Sequence, residues 1–80
     1  MFTFHLQKNV HMYNHLLTIS DGQTRRQAIV ESAPAREPTI LVWLADFGFP
    51  PEEETAVQTA LERWLAAQGV RCVFRPGRGR

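Results

Sequence analysis

Residues 16–32, LLTISDGQTRRQAIVES, decide the fold. Two runs of strand-forming residues flank Asp21-Gly22, a pair that supplies the positive φ of a tight reversal, so the stretch predicts a β-hairpin. The second arm alternates between two sets of side chains, Arg25, Gln27, Ile29 and Glu31 on one face and Arg26, Ala28 and Val30 on the other. Because neither set is purely apolar, we expect a sheet with one exposed, polar face.

An alternating pattern begins the chain, with apolar side chains at Phe2, Phe4 and Leu6. This period of two predicts a half-buried strand, and Lys8-Asn9 predicts the turn that follows it. A second strand then covers residues 10–19, with a bulge or break near Asn14. A helix over residues 5–17 is the main alternative, but several residues in its middle are poor helix formers.

The chain after the hairpin predicts a linker, a strand and a loop. Residues 32–38, SAPAREP, contain two prolines and cannot continue a ladder. Residues 39–44, TILVWL, are a continuous apolar run, which is typical of a central strand covered on both faces. Residues 45–51, ADFGFPP, predict a rigid loop.

A helix after this loop has the clearest pattern in the chain. Pro51 suits the first helical turn, and Gly69 suits the position just after the last one. An apolar stripe recurs at helical spacing at Val57, Ala60, Leu61, Trp64 and Leu65. A last strand follows at residues 70–74, and we expect Trp64 and Trp43 to pack between the helix and the sheet.

These elements predict an α+β fold. We expect a mixed, mostly antiparallel sheet of four to five strands with one long helix packed on a face, in the order β-β-β-β-α-β. Residues 1–75 form a single domain in this interpretation. Residues 76–80, PGRGR, contain no apolar side chain to bury and predict a flexible Gly/Arg tail.

Composition narrows the classes of function. The 80 residues are 44% hydrophobic and 21% charged, which is typical of a globular domain. The longest apolar run is far shorter than the roughly 20 residues of a membrane span, and the N-terminus does not resemble a signal peptide. A single cysteine, Cys72, fits a reducing cytoplasm. The formal net charge of +1 gives no global attraction to nucleic acid.

The residues that usually carry chemistry form no catalytic pattern, so we predict no enzyme, metal or cofactor. His11 and His15 are four apart, but on a strand that spacing is roughly 13 Å, too far for one ion. Cys72 lies in an apolar strand and is interpreted as a buried structural residue. The glutamates at positions 52–54 fall on one helical turn and point around its axis, which suits the helix dipole.

A contact surface remains as the best candidate. The hairpin region offers an aromatic side chain and charges of both signs at Tyr13, Asp21, Arg25, Arg26 and Glu31. Carboxylates that could pair with cationic groups of a partner follow at Asp46, Glu52, Glu53 and Glu54. Arg and Tyr are enriched at binding hot spots, and the alternative is that these side chains form a solvated sheet face.

Residues 2–31 resemble the first half of small phage anti-CRISPR proteins that inhibit a type I surveillance complex. The shared features are the spacing of Phe2 and Leu6, the pair His11-Met12, the apolar strand at residues 16–19, the turn Asp21-Gly22 and the closing strand at residues 28–31. The resemblance implies a non-enzymatic protein that binds backbone subunits of the complex and keeps target DNA out. It implies a contact role for Glu31, while the family's contact tyrosines correspond to His5 and Ser20.

The leading hypothesis is therefore an inhibitory binding protein, acting in the cytoplasm of a bacterial host on a protein complex that recognises nucleic acid. Two alternatives stay open. Direct nucleic-acid binding would use Arg25, Arg26, Arg71, Arg75 and the basic tail. A structural or assembly protein would dimerise through a sheet edge, so both a monomer and a homodimer are compatible with the sequence.

Overall fold

The described part of the chain, residues 1–76, is known from a computed structural model, and the side chain of His11 also lies outside the description. Its elements are β1 (Thr3–His11), β2 (Asn14–Ser20), β3 (Arg25–Ser32), β4 (Thr39–Trp43), a 3₁₀ helix (Leu44–Phe47), α1 (Pro51–Ala66) and β5 (Arg71–Arg75). They confirm the predicted α+β fold with the order β-β-β-β-α-β. Apart from Pro76, the predicted tail lies outside the described residues.

The strands form one mixed sheet in the order β1-β2-β3-β4-β5. Neighbouring strands are antiparallel except for β4 and β5, which are parallel because α1 connects them across one face. The edges of the sheet among residues 1–76 are therefore β1 and β5. No helix in this part of the chain is long and apolar enough to cross a bilayer.

The hairpin predicted from residues 16–32 is confirmed. β2 pairs with β3 along its whole length, from Asn14 opposite Glu31 to Ser20 opposite Arg25. Gly22 in the connecting loop has φ +98°, a conformation that glycine adopts without steric cost. The short loop that Gly22 makes possible sets which residues of the two arms lie opposite each other.

The first reversal lies further along the chain than predicted. The expectation of a turn at Lys8-Asn9 was wrong, because β1 continues to His11 and the chain reverses at Met12 and Tyr13. Asn9 has φ +57°, and the pairing register shifts between Gln7 and His11. Asparagine tolerates the left-handed region, so Asn9 forms an irregularity inside a strand instead of ending it.

The core lies between the sheet and α1. Helix residues Val57, Leu61 and Leu65 are buried against strand residues of β2, β3 and β4, namely Leu17, Ile19, Val30, Ile40 and Val42. The predicted position of Trp64 is confirmed, since its ring packs against the core at 5.4 Å from the ring of Phe4. Leu44 and Phe47 of the 3₁₀ helix are also buried here, although the sequence predicted Leu44 as the end of a strand and Phe47 as part of a loop.

Trp43 lies on the opposite side of the sheet from this core. Ile40 and Val42 are buried towards α1, so strand alternation sends Leu41 and Trp43 to the other face, where both are half-buried. The expectations that Trp43 packs between the layers and that β4 is covered on both faces were therefore wrong. Within residues 1–76, α1 is the single helix that covers the sheet.

Candidate binding surface

The open face, which is the face of the sheet turned away from α1, has an apolar centre. Its side chains come from four adjacent strands and are Leu16, Ile29, Leu41, Trp43 and Val73, all half-buried. Leu16 is paired with Ile29, and Leu41 with Val73. Ile29 lies two residues before Glu31 on the same face of β3, so it is diagonal to Leu41, the partner of Glu31. The five side chains therefore form one contiguous patch.

Charged side chains surround this centre unevenly. Glu31 lies between Asn14 and Leu41 in the cross-strand row, so its carboxylate is beside the apolar patch. Arg75 is paired with Trp43, and Arg71 with Thr39, both on the edge strand β5. Arg25 lies on the same face but near the far end of the hairpin, opposite Ser20. The combination of an apolar centre and a charged rim is typical of a protein-binding surface.

The residues that the sequence singled out do not form one surface. Arg25 and Glu31 lie on the open face, as the hairpin alternation predicted. Tyr13 and Asp21 flank the two ends of β2, roughly 25 Å apart at the rise of a strand. The remaining carboxylates lie in the 3₁₀ helix and in the first turn of α1, namely Asp46, Glu52, Glu53 and Glu54.

Arg26 has a structural position on the α1 side of the sheet. Its Nη1 donates hydrogen bonds to the carbonyl oxygens of Phe47, at 3.2 Å, and Gly48, at 2.9 Å. The guanidinium also lies 4.7 Å from the centre of the Phe49 ring, a cation–π arrangement. The guanidinium is therefore engaged with the loop before α1 and faces away from the arginines of the open face.

Asp21 stabilises the hairpin loop with its carboxylate. Its Oδ1 accepts hydrogen bonds from the backbone N–H groups of Gln23 and Thr24, both at 2.8 Å. These bonds lower the pKa of the Asp21 carboxyl below its ordinary value, and the bond from Thr24 contributes most. A carboxylate that already accepts two amide protons has less capacity to recognise a partner, which favours a role in the turn.

A cleft of about 280 Å³ at one end of the core contains a serine–histidine pair that sequence analysis missed. The Nε2 of His15 lies 2.6 Å from the Oγ of Ser32, and the Nδ1 accepts a 2.8 Å hydrogen bond from the backbone N–H of Asn9. His15 is on β2 and Ser32 ends β3, 17 positions later in the sequence. They meet because His15 is paired with Val30, which lies two residues before Ser32 on the same face of β3.

The hydrogen bonds of this pair determine what it can do. Because the Asn9 N–H donates to Nδ1, the proton of the neutral ring is on Nε2, and His15 donates to the Ser32 hydroxyl. A general base would have to accept the serine proton at that nitrogen, so this tautomer does not activate Ser32. Burial, and secondly the charge of Lys8, lower the pKa of His15, which maintains the neutral ring. The pair therefore connects β1 to the end of β3.

Cys72 and the histidines show no site for nucleophilic or metal chemistry in the described residues. Burial, and secondly the charge of Glu62, raise the pKa of the Cys72 thiol to about 12, so the reactive thiolate is disfavoured. Among the described side chains, which exclude that of His11, no three of histidine, cysteine, aspartate or glutamate are grouped as metal ligands. His15 has both ring nitrogens engaged in hydrogen bonds.

Comparison with protein-family models, curated proteins and solved structures finds no match to this chain. The candidate surface therefore rests on its own geometry. Most of its apolar residues were missed as a site by sequence analysis, although a signal was present. The run at residues 39–44 is apolar at both odd and even positions, so one set of side chains had to lie away from α1.

Proposed function

We propose that this protein is a non-enzymatic binding protein that inhibits a larger complex by covering one of its functional surfaces with the open face. The observation that carries this proposal is the contiguous apolar patch on that face. Leu41 and Trp43 keep part of their surface exposed on this face, and apolar side chains gain roughly 25 cal/mol per Å² when buried. A partner that covers them recovers that energy.

The proposed target is a type I CRISPR surveillance complex, which the inhibitor would prevent from recognising DNA. The support comes from the resemblance of residues 2–31 to small anti-CRISPR proteins. The three positions that the resemblance associates with contacts are His5, Ser20 and Glu31. His5 is opposite Thr18, and Ser20 lies two residues after Thr18 on β2, so these side chains are on the same face. Glu31 is opposite Asn14, which is on that face of β2 as well. All three positions therefore share the open face. One continuous surface could therefore contain the contacts.

Glu31 is the charged residue of this face that best suits such a target. Its carboxylate adjoins the apolar centre, and a surface that binds the DNA backbone is rich in lysine and arginine. A carboxylate beside an apolar patch would pair with one of those cations and give orientation more than raw affinity. The carboxylates on α1 would not contact the same partner surface, since the sheet lies between them and the open face.

Co-elution tests this function. Purified type I surveillance complexes of several subtypes are mixed with this protein and separated by size-exclusion chromatography. We expect this protein to co-elute with at least one complex, and Ile29→Arg to abolish co-elution by placing a charge in the apolar centre. Thr59→Arg, at an exposed position of α1, is the control and should co-elute like the unmodified protein. Failure of all complexes to retain the protein would refute the proposed target.

A second candidate function, nucleic-acid binding, has one specific observation in its favour. Arg75 is paired with Trp43, and a basic side chain beside an aromatic ring is a usual platform for single-stranded nucleic acid. This function predicts a mobility shift with single-stranded DNA or RNA that weakens steeply with salt, and that Arg75→Gln reduces. No shift at low salt would eliminate it.

A further inference from the structure

The edge strand β5 presents unpaired backbone groups on its outer side. Among residues 1–76 its one neighbour in the sheet is β4. The backbone N–H of Arg71 donates to the carbonyl oxygen of Pro38 at 2.8 Å, so the backbone groups of Arg71 point towards β4. In a parallel pair this direction alternates along the strand. The N–H and C=O groups of Cys72 and Phe74 therefore point outward, available to a further strand.

A groove runs along this edge and gives an added strand a place to lie. It has a volume of about 610 Å³ and separates β5 from the surface of α1. It is lined by Glu62, Arg63 and Ala66 of the helix and by residues 70–74, of which Cys72 and Phe74 have their side chains on the α1 side of the sheet. Side chains of an added strand that point towards α1 would enter this groove.

The side chains of β5 on the open face define the charge of the added strand. Arg71, Val73 and Arg75 alternate with the groove-facing pair and are directed to that face. We propose that β5 accepts an extended acidic segment of a partner protein as a sixth strand of the sheet. Its carboxylates lie opposite Arg71 and Arg75, and an apolar side chain lies opposite Val73.

Charge disfavours a second copy of this chain as the occupant. An antiparallel β5–β5 contact that pairs all five residues is centred on Val73, and it places Arg71 of each copy opposite Arg75 of the other. Like charges directly opposite each other destabilise a sheet, and charged residues on an edge are a common means of preventing self-association. The same two arginines favour a strand that has carboxylates in those positions.

The added strand has a definite sequence pattern in its antiparallel orientation. Positions 1 and 5 are acidic, position 3 is apolar, and positions 2 and 4 face the groove and exchange backbone hydrogen bonds with Cys72 and Phe74. The pattern goes beyond the open-face function proposed above, because it uses the edge of the sheet and its backbone. A peptide with the core Glu-Ala-Val-Ala-Glu satisfies it.

Amide chemical shifts of this protein, titrated with that peptide, test the proposal. We expect shifts concentrated on β5 and the facing residues of α1. A peptide with lysine in place of both glutamates should bind roughly tenfold more weakly, since two opposite-charge pairs are replaced by repulsion. In the double variant Arg71→Gln/Arg75→Gln this difference should fall below about twofold.

Two controls separate strand addition from simple charge attraction. The glutamate peptide N-methylated at both alanines keeps its charges but loses the N–H groups that would pair with β5, so it should cause no shifts on β5. Ile29→Arg, which tests the open face, should leave peptide binding unchanged. The proposal is overturned if the glutamate and lysine peptides bind with equal affinity, or if the N-methylated peptide binds as well as the unmethylated one. It is also overturned if about 5 mM peptide causes no shifts, since that concentration fills most of a site whose Kd is about 1 mM.

A second copy of this chain is an outcome of the same experiment. Sedimentation equilibrium at the concentration used for the titration should give the mass of a monomer. A dimer whose β5 amide shifts change on dilution would overturn the proposal in favour of self-pairing at this edge.

Discussion

The guanidinium of Arg26 lies 4.7 Å from the centre of the Phe49 ring and donates two hydrogen bonds to carbonyl oxygens just before that ring. This contact attaches β3 to the loop that leads into α1. The adjacent Arg25 is exposed on the other face of the same strand. Arg26 therefore stabilises the fold, whereas the adjacent Arg25 is exposed on the open face.

Replacement of Arg26 should destabilise the protein. Arg26→Ala removes both hydrogen bonds and the cation–π contact, and we expect it to lower the free energy of unfolding by about 1–3 kcal/mol. Arg25→Ala is the matched control and should change it by less than about 0.5 kcal/mol, as exposed substitutions do. Urea denaturation measures both values. Equal effects of the two substitutions would contradict the structural role of Arg26.

Acid should destabilise the fold through His15. Its pKa is lowered from 6.5 in the folded protein, so the folded state favours the neutral ring, and protonation removes the acceptor of the Asn9 N–H. Stability from this residue is therefore present above pH 6.5 and is lost as the pH falls below it. Thermal melts between pH 7.5 and 5 should show this decrease.

The variant His15→Gln identifies the group responsible. It should flatten the pH dependence between pH 6.5 and 5, while His5→Gln, on the exposed face of β1, should leave it unchanged. A dependence that survives in His15→Gln would assign the transition to another residue.

Asp21 should prove to be a turn residue. Asp21→Asn keeps an oxygen that can accept the Gln23 and Thr24 amide protons, whereas Asp21→Ala removes it. We therefore expect the alanine variant to melt at a lower temperature than the asparagine variant, and both to bind a partner like the unmodified protein. Weaker partner binding by Asp21→Asn, with an unchanged melting temperature, would instead place Asp21 in the interface.

The neighbouring leucines of β2 separate stability from binding. Leu17 is buried in the core with 1% of its surface exposed, so Leu17→Ala should cost about 2–5 kcal/mol of unfolding free energy. Leu16 lies on the open face, and Leu16→Ala should cost less than half as much but weaken partner binding. Urea denaturation and titration with the partner measure the two effects. A core-sized loss of stability for Leu16→Ala would mean that this face is covered in the free protein.

Local patterns predicted much of the fold. The loop at Asp21-Gly22, the alternation of β3 and the apolar stripe of α1 each depend on neighbours in sequence, and all three are confirmed. The first reversal was misplaced because Asn9, a residue typical of turns, adopts its left-handed conformation inside a strand. Its stabilising contact is with His15, which belongs to the next strand.

The candidate surface could be predicted only in part. Glu31 and Arg25 were assigned to one face because alternation is a local property. The position of Trp43 was wrong because an apolar run shows that both sides of a strand are apolar but not which side a helix covers. The pairing of Arg75 with Trp43 depends on the parallel register of β4 and β5, for which the sequence contains no local signal.

The central claim is that the open face binds a DNA-recognising complex and blocks it. Its most direct test is a DNA mobility-shift assay with a purified type I surveillance complex that co-elutes with this protein. We predict that the unmodified protein and Glu52→Arg, a variant of the exposed start of α1, both prevent the complex from shifting target DNA. Glu31→Arg should fail to prevent the shift while melting at the same temperature. Full inhibition by Glu31→Arg, or loss of inhibition by Glu52→Arg alone, would contradict the claim.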